Sequence, residues 1–121
     1  MSIQKINIGD KLNLFSDHWK PRIIAELNSQ HVKLVKFQGE FIWHKHDEED
    51  EMFLVICGNF IMELRDQAIA LFPGEFIVIP KGIEHKPVAK EEVHVLLFEP
   101  ATTLNTGNKE NKLTLHDLES I

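Results

Sequence analysis

The stretch "IWHKHDEEDEMFLVICG", residues 42–58, sets two histidines one residue apart, follows them with five consecutive acids, and closes with an apolar run ending at a glycine. In extended backbone successive side chains alternate faces, so His44 and His46 point one way while Trp43 and Lys45 point the other. Two imidazoles on one face form a natural chelating pair. If the chain turns through Asp47–Asp50 and re-enters as a strand at Glu51, that carboxylate returns beside the histidines, heading a face that also carries Phe53, Val55 and Cys57. A carboxylate and two imidazoles withdrawn from water need compensation, which a divalent cation supplies directly. Asp47, Glu48, Glu49 and Asp50 read instead as a solvated loop.

A third imidazole stands further along, in "GEFIVIPKGIEHKPVA", residues 74–89. Pro73-Gly74 opens an apolar strand, Pro80 stops it, and Lys81-Gly82 turns the chain so that His85 emerges just past the turn. Between and around these stretches the apolar runs are short, β-branched and aromatic, and turn residues punctuate them at the spacing of an antiparallel sandwich or barrel. Residues 21–37 read as a hairpin turning at Asn28-Ser29, because those two residues tolerate turn dihedrals. Further strands are expected at Glu40–Lys45, Glu51–Cys57, Phe60–Leu64, Ala68–Leu71, Phe76–Ile79 and Val93–Glu99. A short helix is expected within residues 9–15, with Asp10 favoured near its N-terminus. In the C-terminal segment Leu113, Leu115 and Leu118 either dock on the barrel or a second subunit, or belong to a frayed end.

At 121 residues and 43% hydrophobic, the chain has the size of one domain, expected over residues 1–121 with a barrel core at about 21–100. A net charge of -6 works against nucleic-acid binding, where clustered positive charge supplies most of the affinity. No apolar stretch approaches the roughly 20 residues needed to cross a bilayer, so a membrane role is not expected. The opening "MSIQKINIGDKLN" lacks the apolar centre of a signal peptide, and the single cysteine, Cys57, cannot form an internal disulfide. A cytoplasmic setting is the expectation.

Taken together, the two stretches resemble the paired motifs of a small single-domain cupin, of the group often labelled mannose-6-phosphate isomerase-like. The first motif appears as Gly39, four residues, His44-Lys45-His46, four residues, Glu51, six residues and Gly58, one residue short in its first gap. The second appears as Gly74, Pro80, Gly82 and His85, with Ala89 where the motif has asparagine. The resemblance implies an all-β jelly-roll barrel (a double-stranded β-helix) preceded here by the short helix, a metal held inside by His44, His46, Glu51 and His85, and a homodimer. Such a nitrogen and oxygen donor set suits Fe, Mn, Ni, Co or Zn, and ligand type alone does not choose among them.

The activity stays open between classes. One reading is a metal-dependent enzyme on a small-molecule substrate, dioxygenase-like or acting as an isomerase of a sugar or sugar phosphate; the alternative is a non-enzymatic small-molecule-binding or sensing module. An apolar pocket lined by Phe37, Phe41, Trp43, Phe53, Met62 or Phe98 would favour an aromatic or hydrocarbon-like ligand. No catalytic residue is assigned. Glu99, Thr103, Asn105 and Thr106 follow the last apolar strand and are candidates for a pocket rim, although an ordinary turn is the plainer expectation. His18, His31, His94 and His116 lack a comparable constellation, with His94 placed to line the barrel mouth. Cys57 is expected to be a small buried residue.

Overall fold

Seven strands and one short helix make up the regular structure among the described residues, 3–121 of a computed structural model. The helix, α1 (Ile8–Leu12), begins where the Asn7 side chain accepts a hydrogen bond from the Asp10 amide at 2.9 Å, with Asp10 in the first turn. It ends sooner than expected, at Asn13, and lays Leu12 and the following Phe15 on Leu34.

Strands β1 (Arg22–Leu27) and β2 (Gln30–Glu40) form the expected hairpin. Asn28 and Ser29 both take positive φ, 48° and 62°, the pair of left-handed residues that matches a tight turn to strand twist. Residues 33–37 of β2 are buried on both faces. Lys33, Val35 and Phe37 share one side of the strand, while Leu34 and Lys36 take the other, where Leu12 and Phe15 cover Leu34.

The chain continues through β3 (Glu51–Cys57), β4 (Phe60–Leu64), β5 (Ala68–Leu71), β6 (Phe76–Ile79) and β7 (His85–Pro100). All ladders between these strands are antiparallel, and hydrogen bonding runs in the order β1-β2-β7-β3-β6, with β4 joining β7 to β5. The long strand β7 organises the barrel. Its first residues, His85–Val88, pair with β4, and its second half pairs with β2 on one side and β3 on the other. Only that second half reads as a strand in the sequence; the first half alternates buried His85, Pro87 and Ala89 with half-buried Lys86 and Val88, contains a proline and runs into the charged Lys90, Glu91 and Glu92. Phe37, Phe53, Phe60, Met62, Val93 and Val95 form the centre of the core, and Ala89 is fully buried beside them.

Two expectations need correction. The strand expected over Glu40–Lys45 is not continuous, because positive-φ Gly39 and a register shift between Phe37 and Gly39 end β2 at Glu40. Beyond it the chain is held by single pairs, Phe41 N–H to the Pro87 carbonyl at 3.0 Å and a two-way His44–His85 bridge. Cys57 is exposed, not buried, because the register shifts between Val55 and Cys57 at the end of β3 and breaks the inward alternation there.

The C-terminal segment is docked on the barrel. Ile23 donates to the Glu119 carbonyl at 2.9 Å and accepts from the Ile121 amide at 3.0 Å, so the segment covers part of the β1 edge. Asn108 donates its backbone N–H to the Lys45 carbonyl and accepts from the Lys45 amide through its side chain, both at 2.9 Å. This close approach requires Gly107, where an added Cβ would lie 2.2 Å from the Lys45 carbonyl oxygen. None of the described helices is long and apolar enough to cross a membrane. Gly107→Ala is expected to cost about 2–4 kcal/mol in denaturant unfolding. Gly74→Ala, equally strained in φ but with open space around it, is expected to cost only about 1–2 kcal/mol.

Candidate metal centre

His44 and His46 stand on the irregular segment after β2, Glu51 is the first residue of β3, and His85 is the first residue of β7. The turns on either side set their positions. The Gly82 amide donates to the His46 carbonyl at 2.7 Å, and the Lys81 amide donates to the Asp50 side chain at 2.8 Å. The acid loop is thus mostly solvated, as expected, but Asp50 fastens it to the turn that delivers His85.

All four side chains are buried, and one donor atom from each lies within 4.8 Å of every other. The rings are oriented from behind. His44 Nδ1 donates to the Ile42 carbonyl and His85 Nδ1 to the Ile83 carbonyl, each at 2.9 Å. A carbonyl only accepts, so in the neutral rings Nε2 is left with a free lone pair. His85 Nε2, both nitrogens of His46 and Glu51 Oε1 are buried without a hydrogen-bond partner. His46 Nε2 and His85 Nε2 approach Glu51 Oε1 to 3.1 and 3.4 Å, but misaligned. Orphaned buried polar atoms are costly. Inward lone pairs with a carboxylate between them fit a divalent cation, which would partner all of them at once.

Electrostatics keep His44 and Glu51 in donor form. Burial first, then the charge of His85, lowers the pKa of His44 to about 4. Burial raises the pKa of Glu51, but the adjoining Glu99 carboxyl and the two close imidazoles outweigh it and hold the carboxyl well below its ordinary range. Glu99 goes the other way. Burial and the adjacent Glu51 carboxylate push it well above the ordinary range, against the pull of Lys33.

The cluster opens on a pocket whose wall includes Trp19, Val35, Phe37, Phe41, Phe53 and Leu97, with Glu99 and Asn105 as further polar members. Of the aromatic residues expected there, Phe37, Phe41 and Phe53 take part. Trp43 instead stacks under the Arg65 guanidinium at 3.8 Å, Met62 fills the core, and Phe98 lies on the opposite face of β7 from Glu99. Glu99 and Asn105 line the pocket, whereas Thr103 and Thr106 tie down the following loop through the Pro100 carbonyl and the Thr114 hydroxyl. His94 and His18 both bond to Glu92 away from the pocket. His116 bonds to Glu110, and His31 faces Glu26.

Two contributors escaped the sequence reading. Trp19 stacks on Phe37 and Phe41 with ring centroids 4.4 and 4.9 Å away, at a φ of 63° that a bulky residue seldom adopts. Nothing in its irregular neighbourhood announces this. Lys33 could have been found, because strand alternation puts it on the inward face with Val35 and Phe37, where a lysine must have a partner.

Residues 31–99 match the model of the family described as "Cupin domain", and the chain belongs to that family. It is 54% identical to a cupin-2 domain protein of Shewanella frigidimarina, whose crystal structure superposes with a TM-score of 0.78 over 78% of this chain and 93% of that one. It is 30% identical to KdgF from a Halomonas species, with a TM-score of 0.59 over 66% of this chain and 78% of KdgF. The uncharacterised Bacillus subtilis protein YdbB is 36% identical over 64 residues, 52% of this chain and 57% of that protein. The chain thus spans little more than half the length of YdbB.

The depressed His44 pKa has a measurable consequence in metal-free protein. Unfolded histidine takes up its proton near pH 6.5 and folded His44 only near 4. The unfolded state therefore binds the extra proton between these values, and this group withdraws stability as pH falls from about 6.5 to about 4. Ring-proton NMR of metal-free protein should place the His44 midpoint near 4; a midpoint near 6.5 would show a solvated ring.

Proposed function

We propose that this chain is a metal-dependent enzyme holding one divalent transition-metal ion through His44, His46, Glu51 and His85 and acting on a small oxygen-bearing molecule in the adjoining pocket. The observation that carries this reading is the set of buried, unpartnered donor atoms converging from three places in the chain beside an aromatic wall. Such an ion supplies a Lewis acid or, if it is iron, a centre for oxygen chemistry. The protein's share is to keep His44 neutral, fix the tautomers of His44 and His85 through Ile42 and Ile83, and exclude water with Trp19, Phe37, Phe41 and Phe53.

The predominance of apolar groups in the wall supports a substrate with an apolar body over a heavily hydroxylated one, and so favours the dioxygenase-like branch over sugar isomerisation. A second reading, a non-enzymatic binding module, draws on the small space beside the donors, about 30 Å³, room for a water or two. We also infer a homodimer, because β6 is an edge strand that leaves Phe76 and Val78 exposed.

Elemental analysis of anaerobically purified protein is expected to find close to one divalent transition metal per chain, with His46→Ala and Glu51→Ala each losing most of it. Wild-type protein that takes up none of Fe, Mn, Ni, Co or Zn would overturn the metal reading. Mass spectrometry of a co-purifying molecule before and after incubation with air separates the two functions, since an enzyme converts its ligand and a binding module returns it unchanged. Sedimentation at micromolar concentration should show a dimer, and a clean monomer would count against that inference.

A further inference from the structure

Between the acid loop and the segment that follows β7 lies a cleft of about 190 Å³, separate from the aromatic pocket. Asp47, Glu48 and Glu49 wall it on one side, Thr102 and Leu104 on the other, and His46 also forms part of its lining. Asp47 and Glu48 are open to solvent whereas His46 is 4% exposed, so the cleft runs from the surface inward to one of the four donors. His46 differs from the other imidazoles. His44 and His85 are each fixed through Nδ1 to a backbone carbonyl, but neither ring nitrogen of His46 has a hydrogen-bond partner. The backbone around it is nonetheless held, by the Gly82 amide on the His46 carbonyl and by Asn108 on both polar groups of Lys45. The chain is pinned here and the ring is not.

A divalent ion gives up its hydration shell at high cost unless oxygen ligands replace the waters in turn. The approach past Trp19, Phe37 and Phe41 supplies no such ligand at its wall, since Asn105 there commits its amide to the Leu113 carbonyl and the Leu115 N–H. The cleft supplies carboxylates at its mouth and holds several waters. We propose that this cleft is the entry route of the divalent ion: Asp47, Glu48 and Glu49 draw it in as a hydrated cation, and the unrestrained His46 ring passes it inward. His46 Nε2 is 3.1 Å from Glu51 Oε1, so the next donor is one contact away. Not every neighbouring charge takes part. Lys45 Nζ, 3.5 Å from Asp47, offsets some of the negative charge, and Asp50 is engaged with the Lys81 amide. Thr102 donates to Glu49 at 2.8 Å and ties the two walls together.

This inference rests on the metal-centre reading and concerns the rate of loading, so kinetics test it. The probe is Co(II), followed by its visible absorption after rapid mixing with metal-free, full-length protein. Uptake by wild type is expected to slow as salt is added, because exposed carboxylates are screened. The variant Asp47→Asn/Glu48→Gln/Glu49→Gln removes the charge of the mouth and keeps an acceptor for Thr102. It is expected to load about tenfold more slowly at low salt, with little salt dependence, and to reach the same final cobalt content. The control Glu26→Gln/Glu75→Gln/Glu91→Gln removes the same charge from residues that do not border the cleft. Its rate should stay within about twofold of wild type. Relaxation dispersion at the histidine ring carbons of metal-free protein reads the second half of the proposal, with exchange expected at His46 and not at His44 or His85.

Loading of the cleft variant at the wild-type rate, or equal slowing of the control, would overturn the route, since net charge alone would then explain the kinetics. A cleft variant that stops short of the wild-type cobalt content would also overturn it, because the acids would then hold the ion at equilibrium instead of admitting it. A His46 ring as quiet as those of His44 and His85 would overturn its carrying role. Wild type that takes up no Co(II) at all brings down the metal reading and the route with it, whereas uptake at rates indifferent to the acids sinks the route alone.

Discussion

Taking Glu51 out of water among three imidazoles is the demand that the rest of the barrel answers. A buried carboxylate of this kind survives only when hydrogen bonds or a cation replace its hydration. The protein meets part of the requirement with its own groups. The Ile42 and Ile83 carbonyls turn two rings so that their lone pairs face inward, and burial keeps His44 neutral. The Glu51 Oε1, His46 and His85 lone pairs that remain unpartnered mark where an ion would complete the arrangement.

The same economy shapes the surroundings. Lys33 and Glu99 enter the barrel as a pair, neither exposed by more than a few per cent, and Lys36 on the opposite face bonds to the Phe15 carbonyl and sits over the Phe15 ring. Both lysines interrupt the β2 run at places where a single strand must satisfy two different environments. Toward the interior, aromatic packing of Trp19, Phe37 and Phe41 limits access to the polar cluster. An apolar wall beside a dense set of donors lowers the local dielectric and strengthens every electrostatic contact inside.

Much of this was readable in the chain because it depends on local rules. Alternation placed His44 and His46 together, the Asn28-Ser29 pair marked the hairpin, and the spacing of Gly74, Pro80 and Gly82 put His85 after a turn. What was not readable depends on distant partners. The first half of β7 carries a proline and runs into a charged stretch, and pairing with β4 and with the end of β2 makes it a strand. Cys57 was misplaced because a register shift at the end of β3 is set by the neighbouring β7, not by alternation within β3. Trp19 reaches the pocket through a left-handed backbone conformation, and periodicity carries no signal for such a residue.

The contact between Asn108 and Lys45 joins residues 63 positions apart, and it braces the short segment between the two histidines. A ribosome delivers this brace only after every strand has been made, and at typical rates of about 5–20 residues per second several seconds separate the first histidine from the segment that steadies it. The organising strand β7 itself ends at Pro100, just ahead of Asn108, so closure of the barrel and placement of the brace draw on neighbouring stretches of chain. Maturation of the centre becomes a late event in the life of the nascent chain, tied to the same C-terminal stretch that completes the barrel.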